Sequence, residues 1–70
     1  MTLNDPITGE KLDLYTQRAN EDTCYLADEL RVVRCLSIGL QLTEDEIIRQ
    51  LQNSNIDNPI CFHDEIFWVE

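Results

Sequence analysis

The side chains best suited to chemistry in this sequence are three cysteines and one histidine. Cys24, Cys35, Cys61 and His63 are all residue types that ligate zinc. Cys24 and Cys35 are eleven residues apart, which is ~16 Å along the axis of an unbroken helix. They cannot share an ion. Cys61 and His63 alternate onto one side of a strand, but they lack a second ligand pair at zinc-motif spacing. No metal or cofactor is expected. An odd number of cysteines at irregular spacing is also not a disulfide framework of the kind small secreted domains use, so reduced thiols are expected. A metal or redox-sensing domain is the remotest of the functional readings.

Acid–base and nucleophilic chemistry fare no better. His63 is followed by Asp64 and Glu65, yet neighbours on a strand point to opposite faces, so His63 and Asp64 are poorly placed as a dyad. No Gly-rich elbow surrounds any Ser or Cys, and Gly9 and Gly39, the two glycines of the chain, make no phosphate loop. The carboxylates of Glu44-Asp45-Glu46 read as a helix start and those of Asp28-Glu29 as a solvated patch. Calcium is excluded by the lack of an Asp-x-Asp-x-Asp-Gly loop. The chain is not expected to be an enzyme.

The elements that carry these residues are best defined between Tyr25 and Gln52. Leu26, Leu30, Val33 and Ser37 recur at helical steps, and Gly39 is suited to end that helix in the left-handed conformation, with Leu40 as the apolar contact of the cap. Thr43 follows as an N-cap, Glu46 completes a capping box, and Leu42 with Ile47 has the spacing of a hydrophobic staple. A second helix from Glu44 to about Gln52 follows, with Asp45 and Arg49 able to pair. Two helices joined by a short connection are antiparallel neighbours.

Upstream, Glu10 to Ile38 contains no Pro or Gly, and Leu12, Ala19, Leu26, Val33 and Leu40 are seven apart. That spacing predicts helix, either one of about 28 residues or two broken at Asn20-Glu21-Asp22-Thr23, where cap-type residues cluster. The break is the preferred reading. An unbroken helix would be ~42 Å long, against a radius of gyration of about 11 Å for a compact chain of this size. It would require a partner. At 100° per residue the apolar positions separate into two bands: Leu26, Leu30 and Val33 toward the next helix, and Tyr25, Val32 and Leu36 toward the termini or another chain.

Residues 1 to 10 are expected to be irregular or a loose hairpin anchored by Leu3 and Ile7. Residues 60 to 69 are rich in aromatic and β-branched side chains and predict a short strand or a hairpin turning at Asp64-Glu65. The whole is a mainly α, small α+β fold in one domain, residues 1–70: an antiparallel helical hairpin with a short C-terminal β element.

Fourteen acidic residues against five basic ones give a net charge of −9. Such a field repels phosphate backbones and anionic membrane surfaces, so direct binding to nucleic acid or membrane is not expected, whereas a basic protein surface is attracted. No apolar run approaches the ~20 residues needed to span a bilayer, and the N-terminus lacks a signal-peptide pattern, so cytoplasmic residence is expected. A chain of 70 residues gains little stability alone, and self-association, most simply a homodimer, would help it.

The function expected is a non-enzymatic acidic protein-interaction module, an inhibitor, adaptor or small subunit, with a nucleic-acid mimic as its sharper form. A structural homo-oligomer using a helical self-interface is the alternative. The candidate partner-binding residues are Tyr25, Val32, Leu36, Phe67 and Trp68, because the second helical band needs a contact and the terminal strand carries the sole Trp, a type enriched at interface hot spots.

Overall fold

The computed structural model describes residues 3–70. Its elements, in order, are β1 (Leu14–Arg18), β2 (Tyr25–Leu26), α1 (Glu29–Leu40), α2 (Glu44–Gln52), β3 (Ile60–Phe62) and β4 (Glu65–Val69). The four strands form one antiparallel sheet in the order β2-β1-β4-β3. The expectation of a mainly α fold is therefore corrected. This is an α+β fold whose two helices pack on one face of a four-stranded sheet.

The correction is concentrated in residues 10 to 28. Leu14-Tyr15-Thr16-Gln17-Arg18 is a strand, paired along its whole length with β4 from Leu14↔Val69 to Arg18↔Glu65. Neither a 28-residue helix nor a helix broken at residues 20 to 23 exists. Asn20-Glu21-Asp22-Thr23 lies in the connection between β1 and β2 rather than at a helix start. Tyr15, Thr16, Thr23 and Tyr25 are β-favouring types, but what decides the matter is β4, a partner some fifty residues away in sequence. The seven-residue spacing is a coincidence of side chains with different surroundings. Val33 is fully buried, Leu40 is half-buried, and Leu26 is 69% exposed.

The true N-cap of α1 is Asp28, whose carboxylate accepts from the Arg31 amide at 3.2 Å. The helix then runs through Gly39 to Leu40, and Gln41 takes the left-handed conformation (φ 57°) expected of Gly39. Gly39 is needed for a different reason. A Cβ there would overlap the ring of Phe62, so the missing side chain lets β3 approach the helix closely. Ser37 ties the connection together, its hydroxyl donating to the Leu42 carbonyl at 2.5 Å.

The start of α2 follows the sequence reading. Thr43 is the N-cap and its hydroxyl accepts from the Glu46 amide at 3.2 Å. The Glu46 carboxylate does not close a capping box; it pairs instead with Arg49 at 3.0 Å, so Arg49 answers Glu46 rather than Asp45. The helix packs Ile47 and Leu51 inward, both fully buried.

Beneath the helices, alternation along the strands turns Leu14, Phe67 and Val69 inward to meet Val32, Val33, Leu36, Ile47 and Leu51. Each fully buried aliphatic side chain of this set contributes about 1.5–3 kcal/mol. Leu3 completes the core, and its amide donates to the Glu29 carboxylate at 3.0 Å, while Gln52 reaches the Asn4 carbonyl at 2.9 Å. Both helices thus pin the N-terminal segment. That segment is the loose hairpin expected, closed by an Asn4↔Lys11 bridge, but Leu3 alone anchors it, because Ile7 is 93% exposed. Residues 1 and 2 of the expected hairpin lie outside the described residues.

At the C-terminal end the hairpin of β3 and β4 turns at His63-Asp64, one residue earlier than expected. His63 supplies the positive φ (54°) that the turn requires, a conformation in which His, like Asn and Asp, is enriched. The radius of gyration is 11.3 Å. Among the described residues no helix is long and apolar enough to cross a membrane.

Candidate functional site: the open face of the sheet

Alternation along the strands gives the sheet two unlike faces. Leu14, Thr16 and Arg18 of β1, with Phe67, Val69 and Glu65 of β4, turn toward the helices. Tyr15 and Gln17 turn the other way, together with their cross-strand partners Trp68 and Ile66, and with Leu26 and Cys61 from the outer strands. Among the described residues neither helix covers this second face.

Its centre is aromatic. Tyr15 and Trp68 are directly opposite one another, and their rings stack with centroids 5.9 Å apart and planes 20° from parallel. Trp68 is 1% exposed beneath its neighbours, whereas Tyr15 is only half-buried and offers a ring surface to solvent. The indole Nε1–H of Trp68 is the one buried side-chain donor without an acceptor among the described residues. Leu26, across from Tyr15 on the other side, is 69% exposed.

One end of the face is acidic. The ladder of β1 and β4 continues one step to Asp13 and Glu70, whose backbones exchange hydrogen bonds of 3.1 and 3.0 Å. By alternation both carboxylates stand on the same face as Tyr15 and Trp68, and both residues are exposed. Like charges directly opposite on a sheet destabilise it. Arg18, the one base within a strand, alternates to the helix side, and Lys11, two residues before Asp13 on the same side, is exposed and forms no ion pair with either carboxylate. The sole ion pair among the described residues is Arg49–Glu46 on α2.

The five residues expected to bind a partner do not come together. Val32, Leu36 and Phe67 are core residues between the helices and the sheet, and Trp68 is enclosed on the opposite face. Tyr25 alone is substantially exposed, at 53%, on the helix side of the edge strand β2. Of the expected helical band, Val32 and Leu36 are spent on the core, and Tyr25 lies outside the helix. An apolar patch made of these five is not a surface of the protein. Tyr15, Leu26, Asp13 and Glu70 replace it, and they could be found only once β1 was known to be a strand.

The chemistry-bearing residues also remain apart. Cys24, Cys35 and Cys61 are all exposed, and among the described residues no three side chains of metal-ligand type gather. His63 lies in the turn with its ring tilted against Phe62 at 4.2 Å and makes no hydrogen bond to Cys61 or Asp64. On the helix side, Thr16 donates to Glu65 at 2.5 Å beside Arg31 and Cys35, around a cleft of about 180 Å³. Two wider hollows, of about 370 and 420 Å³, flank the turn between β3 and β4, both lined by His63, Asp64 and Glu65, and fall within the size range of small-molecule sites.

Comparison with protein-family models, curated proteins and solved structures gives no match for this chain.

Proposed function

We propose that this protein is a non-enzymatic, acidic interaction module, an inhibitor, adaptor or small subunit, that acts in the cytoplasm by binding a basic protein surface. The observation that carries the reading is the sheet face left open by the helices, apolar at its centre and bearing two carboxylates without ion-pair partners at one end, in a chain of net charge −9. Interfaces of this kind combine a dry aromatic or aliphatic centre with charge that steers the partner and fixes its register.

The test is the salt dependence of the complex with the partner, identified by cross-linking in native lysate and then purified. Affinity is expected to fall by at least about tenfold between roughly 50 and 500 mM salt, where the screening length shortens from above 10 Å to a few Å. Affinity indifferent to salt would remove the reading. Mimicry of nucleic acid is its sharper form and adds one requirement: the partner's own nucleic acid must compete for the same site.

A further inference from the structure

We infer that the open face recognises an arginine-bearing extended segment of the basic partner, with one guanidinium lying on Tyr15 and held by Asp13 and Glu70. This inference rests on the reading above and names its ligand. Asp13 and Glu70 are opposed across a hydrogen-bonded step of the ladder; Lys11, two residues before Asp13 and on the same side by alternation, is exposed and makes no ion pair with either. A cation seated between them removes a repulsion that the free protein carries.

Two residues along each strand stand Tyr15 and Trp68, stacked on one another and on the same face. A step of two strand residues is about 6.8 Å, so a cation at the carboxylates lies beside the half-buried Tyr15. Arginine suits this arrangement better than lysine. Its planar fork can be shared between two carboxylates and can stack on an aromatic ring, whereas an ammonium is a compact, strongly hydrated point charge.

The dimensions select an extended segment. The fifteen strand residues, at about 3.4 Å rise and about 4.8 Å strand spacing, make a face of roughly 250 Å². A standard interface buries about 800 Å² on each partner. A flexible basic segment laid across Tyr15, Ile66 and Leu26 fits that area, and a folded domain docked rigidly needs more surface than the face offers. A second copy of this chain is disfavoured by the charge of −9 that each copy brings.

Trp68 is the sole tryptophan and lies within the face, so its fluorescence reports occupancy directly. The experiment titrates the full chain with a capped hexa-arginine peptide and, separately, with capped hexa-lysine, each at low and high salt. The hexa-arginine peptide is expected to shift Trp68 emission and to bind several-fold more tightly than hexa-lysine. The double variant Asp13→Asn/Glu70→Gln should weaken it by about tenfold, and Tyr15→Leu by several-fold while narrowing the arginine-over-lysine preference.

The control is Glu44→Gln/Asp45→Asn, which removes the same charge from the exposed start of α2 and should change affinity by less than about twofold. Thermal unfolding of each variant verifies that it is folded. Equal weakening by the two double variants, or equal binding of the two peptides, overturns the proposed site while leaving a generally acidic binder intact. Failure of both peptides to bind at low salt overturns the site and the broader reading together. Sedimentation showing that the Trp68 shift accompanies dimerisation would assign the face to a second copy instead.

Discussion

The two faces of the sheet are made by alternate residues of the same strands, yet they have opposite fates. Leu14, Phe67 and Val69 are sealed under the helices, while Tyr15, Leu26 and Ile66 are left half-buried or exposed. The helix-facing side is where burial stabilises the fold, because each side chain there meets partners from several elements. On the open side Trp68 alone is buried to that degree, and Tyr15, Leu26 and the opposed carboxylates add little to stability. A single-residue change on one face therefore has a different consequence from its neighbour on the other.

The sharpest way to break this comparison is to truncate adjacent positions. Phe67→Ala should cost about 3–5 kcal/mol of unfolding free energy, the range for a buried aromatic, measured by urea denaturation. Tyr15→Ala should cost only about 1 kcal/mol, the scale of a lost aromatic pair. Equal costs would mean that the open face is as much a part of the core as the covered one.

A second test concerns why the helix side is sealed so closely. Gly39→Val forces a side chain into the space of the Phe62 ring, and overpacking of this kind costs about 1–3 kcal/mol. Shrinking the ring with Phe62→Leu in the same chain should recover part of it. Additive effects of the two changes would show that the close approach of α1 to β3 carries no strain.

Thr43→Ala removes the oxygen that caps α2 and should lower stability by about 1 kcal/mol. On the open face the sign reverses. Glu70→Gln relieves the repulsion with Asp13 and should raise stability by a few tenths of a kcal/mol at low ionic strength, with the gain vanishing in salt.

The smallest effect is at Asp5, whose carboxylate accepts from the amides of Thr8 at 3.0 Å and Ile7 at 2.7 Å. These hydrogen bonds, that from Thr8 first, hold its pKa below the ordinary 3.8. A carboxyl depressed in the folded state adds stability above its unfolded value, and that contribution disappears as pH falls through the lower folded value. The Ile7 and Thr8 amide resonances should titrate together with a midpoint below 3.8, and Asp5→Asn should abolish the titration.

Local chemistry made part of this fold legible. Thr43, with three acids behind it, starts α2 by a hydrogen bond inside one turn, so nothing distant has to agree. The aromatic and β-branched run of β3 and β4 was readable for a similar reason. Leu14 to Arg18 was not, because its pairing with β4 is set by residues at the far end of the chain, and its short apolar spacing fits helix and strand alike. The candidate site failed with it. Val32 and Leu36 looked available only while the preceding residues were taken as helix, and Tyr15 drew no notice until Trp68 was placed opposite it.

The sequence by itself determined the charge of −9, the start of α2 at Thr43, and a C-terminal segment with no better state than strand, because each depends on composition or on contacts within a turn. Tertiary structure decided which apolar residues are core and which face is left open. Those properties depend on long-range strand pairing, and one residue of register exchanges every side chain between the two faces.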